Sequence, residues 1–398
     1  MANADIAFTL CIRRSQVRAS MTLLIQNVRI VSPDRDVPNG GILIRDGRIA
    51  QVIENGDTPQ ADEVTDGGGR IAMPGFIDIH SHGAEQHDVC DNDLEAIRHI
   101  AKRKLDEGVT TWLPTTLTQP REKLLQIAQT VADYMASPDF ARCPGLHIEG
   151  PFINVVRAGA QNPQFVRPPD FAELAALHEI APALIVSVAP EVPGAMEFIS
   201  QATAAGITCS AAHTAATAEE IFQAKRHGLS HLTHFGNAMT PLHHREIGVV
   251  GAGLLDEDLM IEVICDTIHL SSDMLRLIFK RLPCERIMMI TDSMAASWID
   301  HGEVMLGGLE VIVKDNVARL KEGGALAGSA LRYNVGVKNI SEITGLPLDQ
   351  IVKTTSWNQA LSLGLEGFGK IEPGYHADIV LLDQDFSVHQ TMVGGEVK

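Results

Sequence analysis

Phe76-Ile77-Asp78-Ile79-His80-Ser81-His82 is an apolar run that ends in two histidines separated by one residue. Residues i and i+2 of a strand point to the same side, so the imidazoles of His80 and His82 can bind one divalent ion together. A lone His-x-His pair is weak evidence, because two hydrogen-bonded core histidines give the same pattern. Its position at the end of a strand that follows Met73-Pro74-Gly75 favours a metal site.

Three further apolar runs end in a potential metal ligand, namely Glu149, His213 and His234. Each alone has an ordinary structural explanation, as a carboxylate in a turn or as a hydrogen-bonded histidine. Their joint placement at successive strand ends is hard to obtain by accident. We therefore predict one or two divalent ions bound by His80, His82, Glu149, His213 and His234. Such ligands suit zinc, iron, cobalt and manganese about equally well.

A fifth run, Met288-Met289-Ile290-Thr291-Asp292, ends in a carboxylate. An aspartate beside an activated water can accept its proton and pass it to a leaving nitrogen. The alternative is a helix N-cap. Because the other strand ends already carry metal ligands, we interpret Asp292 as the catalytic acid and base.

The segment between the chain's ends repeats a strand and then a helix. Asp93 to Glu107 and Arg121 to Ala136 have the clearest helical periodicity. Eight strands are predicted, near residues 75–80, 109–117, 144–148, 184–189, 207–212, 230–234, 260–266 and 286–291. This count predicts an α/β fold with a (β/α)8 TIM-type barrel. Strand-like segments at both ends of the chain, with turns at Asp46-Gly47 and Gly394-Gly395, predict one small additional sheet.

The composition is ordinary for a globular enzyme, with 45% apolar and 21% charged residues among 398. A net charge of −18 argues against nucleic acid or an anionic membrane as a partner, because both require basic patches. No apolar stretch reaches the length of a membrane span. Six cysteines without a Cys-x-x-Cys pair are typical of reduced thiols, so we expect a cytoplasmic protein. Residues 1–20 are interpreted as an N-terminal extension or a mis-assigned start.

The loop from Asn237 to Glu246 directly follows His234 and contains His243, His244 and Arg245. A guanidinium is well suited to phosphate because its donors form a fork. His269, after the seventh strand, is a further candidate. The alternative is a solvated polar loop held by a contact such as Arg245–Glu246. In a chain as acidic as this one, a basic cluster beside the expected metal favours an anion site.

The chain resembles the N-acetylglucosamine-6-phosphate deacetylase family of the amidohydrolase superfamily from about residue 22 to its C-terminus. The resemblance lies in residues 74–83, 147–152, 233–239, 243–246 and 326–329. The first of these motifs is shared across the superfamily. Asn237-Ala238-Met239 and His243-His244-Arg245-Glu246 are narrower and indicate this family in particular.

The resemblance implies a barrel with a small β-sandwich built from both termini, and a homodimer. We expect an extension at 1–20, sandwich parts at 21–73 and 356–398, and the hydrolase barrel at 74–355. It also implies that Glu149, His213 and His234 bind one ion and that Asp292 is the acid and base. The substrate-binding residues that it implies are Ala160, Gln161, Asn237, Ala238, Arg245, Asp266, His269, Leu326, Ala327 and Gly328.

The expected reaction is hydrolysis of the acetamide of N-acetylglucosamine 6-phosphate to glucosamine 6-phosphate and acetate, in amino-sugar catabolism. Gln161 stands where the family usually has a histidine that polarises the amide carbonyl, and Thr267 and Arg332 are further departures. They leave open N-acetylgalactosamine 6-phosphate, or another N-acyl or cyclic amide, as the substrate. A non-catalytic scaffold is a third reading, which the complete set of ligand residues argues against.

Overall fold

The structure, a computed structural model, describes residues 21–54 and 59–398. The extension predicted at residues 1–20 lies outside the described residues. The described chain begins with four strands: β1 (Thr22–Ser32), β2 (Arg35–Arg45), β3 (Arg48–Ile53) and β4 (Glu63–Pro74). The predicted turn at Asp46-Gly47 is confirmed between β2 and β3. Both of its residues have positive φ, as a tight hairpin turn requires.

Strands and helices then alternate as the periodicity predicts. The strands of this segment are β5 (Phe76–Ser81), β6 (Gly83–Ala84), β7 (His87–Asp88), β8 (Val109–Pro114), β9 (Leu146–Glu149), β10 (Ala183–Val188), β11 (Thr208–Ala211), β12 (Leu229–Leu232), β13 (Met260–Ile264) and β14 (Ile287–Ile290). The helices are α1 (Leu94–Asp106), α2 (Arg121–Ala136), α3 (Phe171–Ile180), α4 (Ala195–Ala204), α5 (Ala218–His227), α6 (Gly248–Leu255) and α7 (Ser272–Arg281). Short 3₁₀ turns lie at Val89–Asp91, Val155–Arg157, Pro163–Phe165 and Cys284–Arg286.

The last part of the chain adds a small sheet, a helical segment and a return to the first sheet. The strands are β15 (His301–Leu306), β16 (Leu309–Lys314), β17 (Val317–Leu320), β18 (Ile379–Leu382), β19 (Val388–Val393) and β20 (Glu396–Val397). The helices are α8 (Tyr333–Thr344), α9 (Leu348–Val352) and α10 (Asn358–Ser362), with a π-helical turn at Lys353–Trp357 between the last two.

All eight predicted parallel strands are present, although several end a few residues earlier than predicted. Strands β9 to β14 form a six-stranded parallel sheet in the order β14-β13-β12-β11-β10-β9, and β5 pairs with β8. Single parallel bridges join Ser81 to Ser293 and Thr115 to His147. These bridges bring the ends of β5 and β8 beside the ends of β14 and β9. The carboxyl ends of the eight strands therefore lie near one another.

The two ends of the described chain share one sheet, as predicted. Its seven strands run in the order β20-β19-β18-β4-β1-β2-β3, so that β18 pairs directly with β4. Its own apolar core includes Ile25, Ile42, Ile379 and Met392. This sheet leads directly into β5, because β4 ends at Pro74 and β5 begins at Phe76.

Buried apolar side chains fill the space between the parallel strands and their helices. Strand β5 is buried along its whole length, as expected of a strand covered on both faces. Helix α1 begins where Asp93 accepts a hydrogen bond from the Glu95 backbone, and α5 has a capping box between Thr217 and Glu220. Among residues 21–54 and 59–398, no helix has both the length and the hydrophobicity to span a membrane.

Candidate metal centre

Two groups of three side chains lie at the carboxyl ends of the parallel strands. The first triad is His80, His82 and Asp292, and the second triad is Glu149, His213 and His234. Within each triad the possible ligand atoms all lie within 4.8 Å of one another. The structure thus brings together all six residues that the sequence singled out for metal binding and proton transfer. It also places Asp292 beside two histidines, a contact that strand periodicity does not predict.

Glu149 connects the two triads. Its Oε1 lies 3.0 Å from His234 Nε2 and 3.2 Å from His213 Nε2. The same oxygen is 3.6 Å from His80 Nε2, and Oε2 is 3.3 Å from His82 Nε2. One carboxylate therefore faces four imidazole nitrogens, which is the position of a ligand shared between two cations.

Three of these residues occupy equivalent positions in the chain. His213, His234 and Asp292 each lie two residues beyond the last residue of β11, β12 and β14. Each has a left-handed backbone, with φ values of 45°, 32° and 51°. This conformation costs a non-glycine residue about 1–3 kcal/mol and persists only where the surroundings enforce it. The strand ends thus hold their side chains toward the site at a cost in stability.

Two imidazoles are oriented by the backbone. His82 Nδ1 donates to the Thr115 carbonyl at 3.0 Å, and His213 Nδ1 donates to the Arg157 carbonyl at 2.9 Å. Because a carbonyl only accepts, Nδ1 of each ring carries the hydrogen. Nε2 then presents its lone pair to the site, as a metal ligand requires.

Opposite charges within the site shift the pKa values of His80 and Asp292 in opposite directions. Burial lowers the pKa of His80, but the charges of Glu149 and Asp292 outweigh it and raise the pKa well above its ordinary value. Burial raises the pKa of Asp292, but the positive charge of His80 and a hydrogen bond from His82 lower the pKa to about 2. The carboxylates therefore favour the protonated forms of His80 and His82 when no other cation neutralises them. A divalent ion would take the place of the protons on His80 and His82.

The donor set fits such an ion. Four imidazole nitrogens and two carboxylates within a few ångströms are the ligands that zinc, iron, cobalt and manganese accept. All six residues of the two triads are less than a tenth exposed. Buried charges at such short separations need mutual neutralisation or a metal.

A cavity of about 340 Å³ opens above the triads. This volume is in the range of small-molecule sites. The predicted residues that line it are His82, Glu149, Ala160, Gln161, His213, His234, Asn237, Ala238, His269, Asp292, Leu326 and Gly328. The metal ligands and most of the predicted substrate-binding residues therefore share one cavity.

Other predicted residues lie elsewhere. His80 and Ala327 are fully buried, and Asp266 lines a neighbouring cavity of about 210 Å³. In the described part of the chain Arg245 does not line the main cavity. Its side chain is exposed and contacts His244. Asp266 still bears on the site, because its carboxylate lies 2.6 Å from His269 Nδ1. Burial lowers the pKa of His269, but Asp266 outweighs burial and raises it.

Gln161 contacts the metal centre rather than standing free in the cavity. Its amide nitrogen donates to Glu149 Oε2 at 2.7 Å, and its amide oxygen accepts from the Thr118 backbone at 2.6 Å. The sequence placed Gln161 among the substrate-binding residues, where the family usually has a histidine. It did not indicate that the acceptor is the carboxylate shared by both triads.

Sequence reasoning missed several cavity residues, namely Leu117, Val156, Arg157, Gly159 and Leu306. Among the lining residues of the described chain, Arg157 has the one permanently cationic side chain. A signal was available, because Arg157 lies between Glu149 and Gln161 in the loop that follows β9. Leu306, at the end of β15, had no comparable signal.

A sequence model of the amidohydrolase family matches residues 71–398. The chain belongs to the amidohydrolase family. It is 34% identical over 382 residues to an N-acetylglucosamine-6-phosphate deacetylase of Lysinibacillus sphaericus, covering 95% of this chain and 98% of that protein. It is 32% identical to an N-acetylgalactosamine-6-phosphate deacetylase of Escherichia coli O157:H7, covering 95% of this chain and 99% of that protein.

A solved structure supports the same relationship. A mutant N-acetyl-D-glucosamine-6-phosphate deacetylase from Mycobacterium smegmatis, in complex with N-acetyl-D-glucosamine-6-phosphate, superposes with a TM-score of 0.89 at 28% identity. The match covers 95% of this chain and 99% of that chain. The predicted resemblance to this group of deacetylases is thus confirmed, as is the prediction that this amidohydrolase is an amide hydrolase of the deacetylase type.

Proposed function

We propose that this amidohydrolase removes acetate from N-acetylglucosamine 6-phosphate, giving glucosamine 6-phosphate, in amino-sugar catabolism. The observation that carries the proposal is Glu149 joining two triads below a cavity that Asp292 also lines. The names of the relatives support the substrate class, since they act on N-acetyl amino-sugar 6-phosphates.

Each triad would hold one divalent ion, zinc, iron, cobalt or manganese, through the side chains named above. Such ions polarise a carbonyl oxygen and lower the pKa of water. The protein's own part in the chemistry is proton transfer. Asp292 accepts a proton from the attacking water as the new C–O bond forms at the acetamide carbon. It then gives that proton to the sugar nitrogen as the C–N bond breaks, releasing acetate and the amine.

The substrate would be held by the residues around the cavity. Arg157 supplies positive charge for the phosphate, and His269, whose pKa Asp266 raises, lies in the same cavity. Arg245 remains a proposed phosphate ligand through its exposed guanidinium. Asn237, Ala238 and the Leu326–Gly328 loop, which includes Ala327, surround the sugar, with Ala160 beside Gln161. Asp266 acts through its contact with His269.

The second candidate substrate is N-acetylgalactosamine 6-phosphate, which the E. coli relative's name favours. Another N-acyl or cyclic amide comes after it, and a non-catalytic scaffold is the weakest candidate. The two sugars differ only in the configuration at one hydroxyl. Acetate release from both phosphates and from unphosphorylated N-acetylglucosamine, compared as kcat/KM, separates these possibilities. A higher kcat/KM for the unphosphorylated sugar would refute the phosphate site.

We also propose that the observed sheets belong to a closed barrel and a small β-sandwich domain. The bridges from Ser81 to Ser293 and from Thr115 to His147 support an eight-stranded barrel at 74–355. The shared terminal sheet supports a small β-sandwich domain from 21–73 and 356–398. We propose a homodimer in the cytoplasm. Five buried free thiols, Cys90, Cys143, Cys209, Cys265 and Cys284, support a reducing compartment.

Replacement of Asp292 tests the proposed chemistry. We expect Asp292→Asn to lower kcat for acetate release about 10²–10⁴-fold, because the amide cannot accept the proton of water. Asp315→Asn, at an exposed turn between β16 and β17, is the matched control and should behave as the wild type. Metal-loaded Asp292→Asn protein that turns over normally would exclude Asp292 as the proton carrier.

A further inference from the structure

His80 differs from the other predicted histidine ligands in the group that its Nδ1 faces. Its Nε2 faces the first triad, 3.2 Å from His82 Nε2. Its Nδ1 faces a side-chain carboxylate, Glu262 Oε2, at 3.7 Å. His82 and His213 instead use backbone carbonyls for this contact.

The two facing atoms have no alternative partners in the described chain. His80 Nδ1 and Glu262 Oε2 are each buried without a hydrogen bond to any described residue. A buried carboxylate oxygen without a donor is costly, so such groups are normally paired. A movement of less than ~1 Å would bring these atoms to an ordinary hydrogen-bond distance of about 2.9 Å.

The other side of Glu262 is held in place. Its Oε1 accepts from His231 Nδ1 at 3.2 Å, and His231 Nε2 accepts from the Ser362 hydroxyl of α10 at 2.5 Å. Glu262 and His231 are both fully buried, on the neighbouring strands β13 and β12. A continuous line of contacts therefore runs from α10 through His231 and Glu262 to the first triad.

We propose that Glu262 is a positioning residue that accepts the Nδ1 hydrogen of His80 and so directs Nε2 toward a cation in the first triad. A carboxylate behind a ligating imidazole fixes its orientation and increases its basicity. This role rests on the proposed function, since it requires a metal ion there. His213 of the second triad is oriented by the Arg157 carbonyl, so Glu262 governs only one of the two ions.

Metal titration of the Glu262→Gln variant tests the role, because glutamine keeps the size and removes the charge. Both proteins would be equilibrated with buffered free zinc and their metal content measured. We expect two ions in the wild type. In the variant we expect one ion held as in the wild type and the other weakened about 10–100-fold. Unchanged binding of both ions, or equal weakening of both, would overturn the proposal.

Ser187→Ala is the matched control. Ser187 is equally buried, on β10 of the same sheet, and its hydroxyl forms its hydrogen bonds with His147 and Thr233. We expect it to bind both ions with wild-type affinity. If Ser187→Ala weakened binding of the first-triad ion as much as Glu262→Gln does, the effect would be a general one of core polarity. That result would refute the positioning role of Glu262.

A measurement on the unaltered protein covers the case in which Glu262→Gln does not fold. Nitrogen-15 histidine spectra of the zinc-loaded wild type should show His80 with a slowly exchanging Nδ1 hydrogen in a hydrogen bond to a carboxylate. An Nδ1 of His80 that lacks this hydrogen would refute the role. A wild type that binds no ion refutes the proposed function itself, whereas two bound ions with an unaffected variant refute only the role of Glu262.

Discussion

At the scale of single residues, Glu149 and Gln161 act together. Glu149 faces nitrogens of both triads, and Gln161 holds one of its oxygens while accepting a hydrogen bond from the Thr118 backbone. A carboxylate that would be shared between two cations must keep its orientation, because it faces imidazoles of both triads at once. The glutamine at this position therefore fixes the shared ligand. Its proximity to the cavity also leaves it within reach of a substrate.

Removal of the Gln161 amide should cost stability. We expect Gln161→Leu to lower the free energy of unfolding by about 1–3 kcal/mol, because the Thr118 N–H and the Glu149 carboxylate lose a partner in a buried site. Denaturant unfolding of the metal-free proteins measures this. Gln164→Leu, an exposed glutamine three residues away, is the control and should change little. A Gln161→Leu protein as stable as the wild type would show that water replaces both hydrogen bonds.

Arg157 lines the cavity and is the first residue that we propose for phosphate binding. We expect Arg157→Gln to raise KM for N-acetylglucosamine 6-phosphate about 10-fold or more, because a charge-assisted hydrogen bond is lost. The unphosphorylated sugar should be affected much less. Steady-state kinetics with both substrates measure the difference. Arg226→Gln, on the exposed face of α5, is the control. Equal losses with both substrates would contradict a phosphate contact.

At the scale of elements, side-chain contacts of helix α1 connect β5 to the residues that follow β14. Its Lys104 is fully buried, and its ammonium lies 3.1 Å from Asp78 on β5 and 2.9 Å from the hydroxyl of Ser293. Asp78 in turn accepts from the Thr291 hydroxyl at 2.6 Å. Thr291 and Ser293 flank Asp292. A single helix thereby fixes the backbone on both sides of the proposed acid and base.

Loss of this buried cation should destabilise the protein strongly. We expect Lys104→Met to lower the free energy of unfolding by about 3–5 kcal/mol, since the carboxylates of Asp78 and Glu107 lose their buried counter-charge. Lys102→Met lies on the exposed face of the same helix and should be nearly neutral. Chemical denaturation of the two variants gives the comparison. Equal stability of both variants would show that the buried pair contributes little.

At the scale of the whole molecule, the six residues of the two triads come from five parallel strands that are distant in sequence. They follow or end β5, β9, β11, β12 and β14. Ions bound to both triads would therefore cross-link one end of the fold. Binding to the native state alone stabilises a protein in proportion to the logarithm of ligand excess, by about 4 kcal/mol at a 1,000-fold excess over Kd.

Removal of metal should accordingly lower thermal stability. We expect a chelator to reduce the unfolding temperature by several degrees, and added zinc to restore it, as measured by calorimetry. Magnesium prefers six oxygen ligands and is the control that should not restore stability. An unfolding temperature that does not respond to chelator or zinc would contradict metal ions bound at these strand ends.

The sequence by itself determined the elements and the kind of chemistry. The alternation of apolar residues and the spacing of His80 and His82 depend only on neighbours along the chain, so they predict the strands and the side on which the imidazoles lie. The glycine-containing turns at Asp46-Gly47 and Gly394-Gly395 are equally local. For the same reason the strand ends that carry Glu149, His213 and His234 were recognisable before any distance was known.

Only the tertiary structure decided how these residues meet. Glu149 lies between the triads, Asp292 lies beside His80, and Arg157 rather than Arg245 lines the cavity, because of the stagger between strands and the paths of the loops. The left-handed backbone at His213, His234 and Asp292 is enforced by packing and not by local preference. Glu262 and Lys104 contact residues far away in sequence, and such contacts do not produce a periodic pattern in the sequence.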